Sequence, residues 1–274
     1  MGSPVSRLPL FAHLLSSSLS PFPFDGQTLL LAVCPRSYYL STIVRPTQAG
    51  LTRDYAAVLG HAQRTYPTSR IVVYGHSLGG TAACCLLGSI PELHTGDGIS
   101  SATAFDDNLP PLKPPHALIL ENPFPSVPLM IERSLYRSRW LPYHFLSPFV
   151  HDVWDARGAL GQAKGTLLGR TPVLFVSGQD DSLVLPELVR EMYDAGCADV
   201  EVGLVEIPRD AEGSGRSTSK GGLRKWLSIP DAHHDNTWAR KGPWGRGVRA
   251  FLAEVEASNR SVEETGGDAS ERES

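Results

Sequence analysis

The chain lacks the features that mark several protein classes. No apolar run in its 274 residues reaches the roughly eighteen residues a membrane-spanning helix needs. There is no basic excess: the net charge is −4, so no positive field draws the chain to nucleic acid. Cysteine is scarce, and Cys34, Cys84, Cys85 and Cys197 show no C-x-x-C spacing. That argues against a disulfide framework or a cysteine metal site and suits a reducing compartment. No metal or organic cofactor is expected. No cleavable leader is expected, because Leu8 to Leu15 is short and broken by Pro9. Met1-Gly2-Ser3-Pro4-Val5-Ser6 fits the N-myristoylation pattern. Such short matches arise often by chance, and one acyl chain holds only weakly. The expectation is a monomer that is cytoplasmic or peripheral to an intracellular membrane.

What is present is a balanced composition, 41% hydrophobic and 20% charged, enough for one α/β domain with a sizeable core. Its most informative stretch is Ile71-Val72-Val73-Tyr74-Gly75-His76-Ser77-Leu78-Gly79-Gly80. A β-branched run enters G-x-S-x-G, and a helix-like segment from Thr81 to Leu87 leaves it. Strand, sharp turn and helix together make the context of a nucleophile elbow. Gly75 and Gly79 are expected to lack side chains because a Cβ at either would collide with the turn. Ser77 would then stand at the tip, with the Leu78 N–H and the helix dipole favouring negative charge beside it.

A serine hydroxyl needs a base, and the base needs an orienting acid. The expected chain order is serine, acid, histidine. The apolar strand Pro172 to Val176 runs into Ser177-Gly178-Gln179-Asp180-Asp181. Spacing favours Asp181 as the acid and leaves Asp180 as a turn carboxylate. Glu121, ending the strand Ala117 to Leu120, is a third option. Of nine histidines, only His233 and His234 follow the acid. His76 lies inside the elbow, facing away from the serine hydroxyl. The base loop is read as following a strand over Val200 to Ile207.

These segments carry a resemblance. The chain is similar to the α/β-hydrolase superfamily, and within it to the eukaryotic bem-forty-six group. Arg36-Ser37-Tyr38-Tyr39-Leu40-Ser41 resembles that group's R-G-Y-G-x-S. Glu121-Asn122-Pro123-Phe124-Pro125-Ser126-Val127-Pro128 resembles its E-N-x-F-x-S-I-P, and His234-Asp235-Asn236-Thr237-Trp238 its H-N-D-T-W with the middle pair exchanged. The resemblance covers about residues 29 to 257 and selects His234 over His233. It implies a mostly parallel sheet with helices on both faces, and Ser77, Asp181 and His234 as triad with Leu78 as oxyanion donor.

The departures also carry expectations. The fold's second oxyanion donor should come from a loop upstream of Leu29, usually marked by His-Gly, and residues 1–28 hold no such pair. Ser37 and Tyr39 stand where the family has glycines. The domain is therefore read as N-terminally incomplete, with an irregular segment over 1–28 and the hydrolase domain over 29–257. Residues 29–34 are read as a buried strand and Thr47 to Tyr66 as an amphipathic helix. His94 to Pro115 reads as a solvated loop, 128–165 as a small helical lid and Arg209 to Trp226 as a mobile loop. Residues 258–274 read as a disordered tail. The expected function is hydrolysis of an ester, thioester or amide bond of a small-molecule or lipid-like acyl substrate. The alternative is an impaired remnant that acts as a binding or scaffolding domain.

Overall fold

The computed structural model describes residues 4–16, 28–92, 111–135, 147–197, 215–219 and 222–270. Among these, five strands form one sheet: β1 (Val72–His76), β2 (Ala117–Glu121), β3 (Val173–Gly178), β4 (Gly215–Ser219) and β5 (Gly222–Ile229). Their order is β1-β2-β3-β5-β4. The first four run parallel, and β4 closes the far edge antiparallel to β5. This is the α/β-hydrolase architecture the resemblance implies.

The central strands are near-continuous apolar runs because a parallel sheet is covered on both faces. Alternation sorts their side chains. Leu118, Leu120, Val173 and Phe175 face a core with α2 (Gln48–Thr65), α3 (Leu78–Gly88), α5 (Ala156–Gly161) and α7 (Pro186–Gly196). Ala117, Ile119, Leu174 and Val176 face the opposite core, built on α1 (Leu8–Leu15) and α8 (Lys241–Ser270). Trp244, Val248, Phe251 and Leu252 of α8 are fully buried there. Two further short helices, α4 (Val127–Met130) and α6 (Leu167–Arg170), lie in the connections. Thr47 caps α2 by accepting the Gly50 N–H, and Pro186 opens α7, where a missing N–H is harmless.

Several expectations are corrected. Residues 29–34 are not a buried strand: Leu29 and Leu31 are exposed, and the segment joins no ladder. Nothing among the described residues pairs with the outer edge of β1, so the apolar run there lacks the two-sided cover that makes such a run a strand. Residues 4–15 are helical rather than irregular, since Leu10 and Leu14 sit one turn apart and seal the α8 face of the sheet. The stretch read as a mobile loop up to Trp226 supplies β4 and most of β5. Helix α8 continues to Ser270 where a disordered tail was expected; poverty in apolar residues denies a segment packing, not an intrahelical ladder. The strand expected over Val200 to Ile207 lies outside the described residues, as does most of the loop from His94.

The turn after residue 36 keeps the shape that the family's glycines would give it. Ser37 has φ 63° and Tyr39 φ 52°, both left-handed. Such a backbone costs a non-glycine residue about 1–2 kcal/mol. Ser37 is braced, donating to the Val44 carbonyl and accepting the Val44 N–H at 3.1 Å. Tyr39 is exposed, and its ring belongs to no core cluster. Tyr39→Gly is expected to raise stability by about 0.5–1 kcal/mol, after allowance for glycine's greater unfolded-state entropy. Ser37→Gly, which loses two hydrogen bonds, should give no gain. Urea melts of the two variants check this.

Candidate functional site

The site lies where the parallel strands end. Leaving β1, the chain turns at Ser77 with φ 52° and ψ −126° and enters α3 at once. The Ser77 N–H donates to the Glu121 carbonyl at 2.8 Å, tying the elbow to the last residue of β2. Its carbonyl accepts from Gly80 and Thr81 at 2.9 and 3.1 Å. Among the described residues neither the Ser77 hydroxyl nor the Leu78 N–H has a hydrogen-bond partner. Both are therefore open to a ligand.

Close approach at the elbow requires Gly75, where a Cβ would stand 2.5 Å from the Gly80 Cα. At Gly79 the expectation fails, because a Cβ there meets nothing within 4 Å. The helix has already turned that position outward. Gly75→Ala is expected to destabilise by about 2–3 kcal/mol, and Gly79→Ala to change stability by less than about 0.5 kcal/mol. Thermal melts of the pair distinguish them.

The two residues expected as acid and base meet directly. His234 Nδ1 lies 2.8 Å from Asp181 Oδ2. The other carboxylate oxygen accepts the Leu183 and Val184 N–H groups, each at 2.8 Å, so the acid cannot swing away. Asp181 is buried at 3% exposure. A carboxylate only accepts, so the neutral His234 ring carries its proton on Nδ1 and keeps a lone pair on Nε2. The competing assignments separate here. His233 is exposed, and its Nδ1 lies 2.9 Å from the Asp180 carbonyl rather than from a carboxylate. Glu121, the third candidate acid, is turned from the imidazole. It accepts from Tyr74 Oη at 2.6 Å and from the Thr237 hydroxyl, with Arg7 at 3.6 Å.

No hydrogen bond links the Ser77 hydroxyl to His234. The base loop instead reaches the elbow through His76, whose Nε2 stands 2.7 Å from the His234 carbonyl. The two rings lie tilted with centroids 4.8 Å apart. A carbonyl only accepts, so His76 Nε2 bears the proton. Burial, then the nearby Arg7 charge, pushes the His76 pKa down to about 3.

Part of the expected lid, including Trp140, Tyr143 and Phe145, lies outside the described residues. Phe149 is exposed, whereas Trp154 is buried against Leu51 and Ala82, with its backbone N–H donating to Gln48 Oε1 at 2.9 Å. Trp154 is thus a core aromatic. The 310 Å³ cleft lies elsewhere, between residues 33–44 and α2, where Asp54 holds Arg36 bidentately. Among the described residues no cluster of His, Cys, Asp or Glu could hold a metal ion, and no helix is long and apolar enough to cross a membrane.

No family model matches the sequence. Relatives do. Over 173 residues the chain is 30% identical to the α/β-hydrolase domain-containing protein WAV2 of Arabidopsis thaliana, covering 60% of this chain and 47% of that one. It is 31% identical to protein bem46 of Schizosaccharomyces pombe over 146 residues, covering 52% and 38%. The chain is thus similar to the bem46 group of α/β-hydrolases. An uncharacterised membrane protein of Saccharomyces cerevisiae is 27% identical over 216 residues, covering 76% of this chain and 55% of that one. The chain thus spans about half the length of the curated relatives it matches. Among solved structures, a Pyrococcus furiosus esterase is 17% identical with a TM-score of 0.46, covering 80% of this chain and 68% of that one. Puromycin hydrolase is 16% identical with a TM-score of 0.45, covering 77% and 26%. Likenesses this loose add nothing to the topology itself.

In this chain the segments that carry the resemblance have structural work. Ser126 caps α4. Asn236 accepts the His233 N–H at 2.7 Å, Thr237 donates to Glu121, and Trp238 Nε1 donates to the Asp235 carbonyl at 3.0 Å. Sequence reasoning missed the contacts of Arg7 and His76 with this loop, which no local motif announces.

His76 also gives a pH dependence. The unfolded histidine takes a proton near pH 6.5, while the folded one resists it down to about pH 3. Stability therefore falls as pH drops through that window, by at most about 1.4 kcal/mol per pH unit. Glu121 opposes this, because burial raises its carboxyl pKa and protonation favours the fold. Comparing His76→Gln with the parent isolates the histidine. The variant's stability should fall less steeply between pH 6.5 and pH 4 in thermal melts.

Proposed function

We propose that the chain is a serine hydrolase that transfers the acyl group of an ester, thioester or amide to Ser77 and then to water. The observation that carries this reading is the direct Asp181–His234 pair at the sheet end that also bears the left-handed Ser77 elbow. His234 Nε2 takes the Ser77 proton as the hydroxyl attacks the carbonyl carbon, and returns it to the leaving group. Asp181 fixes the tautomer and stabilises the imidazolium. The Leu78 N–H, at the first residue of α3, receives the developing oxyanion. A water then attacks the acyl-enzyme carbonyl, and His234 Nε2 takes its proton and returns it to the Ser77 oxygen as the Ser77 ester bond breaks and the carboxylic acid leaves.

The aromatic-rich sequence of residues 128–165 favours a small carboxylic ester with an apolar acyl group as the substrate. The names of the similar esterase and puromycin hydrolase structures do not decide between ester and amide substrates. Among the described residues the Leu78 N–H is the one candidate oxyanion donor, and loss of one such donor typically slows turnover by about 10²–10³-fold. The activity is accordingly expected to be slow.

A fluorophosphonate probe should label the parent on Ser77 and leave Ser77→Ala unlabelled. His234→Gln and Asp181→Asn should each slow labelling on the order of 10³–10⁴-fold, while circular dichroism shows an unchanged fold. A folded parent that resists the probe would instead support the remnant reading.

A further inference from the structure

Asn122 follows Glu121 directly after β2, is fully buried, and has a left-handed φ of 46°. Its backbone N–H continues the ladder to the Val176 carbonyl at 2.8 Å. Its side chain bridges two loops. Oδ1 accepts the Gly178 N–H at 2.9 Å, where β3 ends and the Asp181 turn begins. Nδ2 donates to the His234 carbonyl at 2.7 Å and reaches the His233 carbonyl at 3.4 Å. The amide orientation follows from chemistry, since an N–H can only donate and a carbonyl only accept. The His234 carbonyl thus receives two donors, Asn122 Nδ2 and His76 Nε2, from the ends of two neighbouring strands.

We propose that Asn122 is a positioning residue that holds the acid and base loops in one geometry, with His76 as the second arm of the same latch. The inference rests on the acyl-transfer reading for its kinetic consequence, not for its geometry. One amide reads both loops: lengthening or losing either bond lets Asp181 and His234 drift independently. Close packing reinforces the latch. A Cβ on Gly178 would stand 2.4 Å from the Ala232 carbonyl, so the two loop backbones are already in contact beside Asn122. The side chain itself is sealed from solvent and touches no substrate. Its loss should therefore lower kcat and leave KM in place, because misplacing a catalytic group by about 1 Å can cost on the order of 10²-fold in rate.

The sharpest substitution is Asn122→Asp. Aspartate tolerates a left-handed backbone and still accepts from Gly178, but it turns an oxygen toward the His234 carbonyl. Two readouts are taken on the full chain. One is the rate of fluorophosphonate labelling, with kcat and KM on a p-nitrophenyl ester. The other is the far-downfield Nδ1–H proton resonance of His234, assigned by its disappearance in His234→Gln. The expected result is labelling and kcat reduced about 10–100-fold with KM within about twofold, and a His234 resonance that shifts or broadens. His76→Leu should move both readouts the same way by a smaller factor.

If Asn122→Asp does not fold, Asn122→Gly, which any left-handed position accepts, takes its place. Should neither fold, His76→Leu decides alone, since it removes one donor from the same carbonyl. A folded variant with unchanged resonance and unchanged kcat overturns the latch. If the parent itself resists the probe, the acyl-transfer reading fails. The resonance still decides the latch independently, because it needs no turnover.

Discussion

In the parallel ladder His76 stands opposite Glu121, Glu121 opposite Val176, and Gly178 opposite Ile229. That register ends β1 and β2 level with each other and carries β3 and β5 two residues further, and the loops leaving them can bond to one another only because of it. The Ser77 N–H reaches the Glu121 carbonyl, the Asn122 N–H the Val176 carbonyl, and the Gln179 N–H the Ile229 carbonyl. Each is the ladder's next rung, made by a residue that has already left its strand. A slip of one residue would exchange the two buried faces of the strand. It would also separate Asp181 from His234. The chemistry of the site is thus set by apolar side chains well below it.

The elbow, the two central strands and the acid–base pair were legible because each has a short-range signature. Glycine spacing marks a turn that only glycine permits at position 75, and continuous β-branched runs mark strands buried on both faces. Elsewhere local composition misleads. Arg224 and Lys225 read as loop residues, yet they lie in β5. Arg224 is buried with its guanidinium on the Leu168 and Thr171 carbonyls, and Lys225 meets Glu254 of α8 at 2.6 Å. Those partners are 29 to 56 residues away, so no window of sequence contains them. The apolar segment 29–34 errs in the other direction. It has the composition of a strand but no neighbour to pair with. Gly79 shows that a motif glycine need not be sterically required.

Glu121 illustrates how a carboxylate can be central without being catalytic. It is wholly buried, and burial alone would drive it toward its neutral form. Tyr74, Thr237 and Arg7 each offer it a proton or a positive charge. These partners come from β1, from the segment after the base loop, and from the start of the chain. One desolvated charge therefore draws three distant parts of the sequence together beneath His234. Removing it would leave the Tyr74 and Thr237 hydroxyls without this acceptor, the more expensive half of a buried polar contact, while Arg7 would keep the Asp235 carbonyl.

The open side of β1 has a practical meaning. Its outer backbone groups face no strand among the described residues, and exposed Leu29, Leu31, Leu40 and Ile43 lie in the segment that precedes α2. Unpaired edges beside apolar side chains favour association between molecules. Dilution therefore belongs among the experimental variables of any assay. A rate that changes with protein concentration would report crowding at this flank rather than chemistry at the serine.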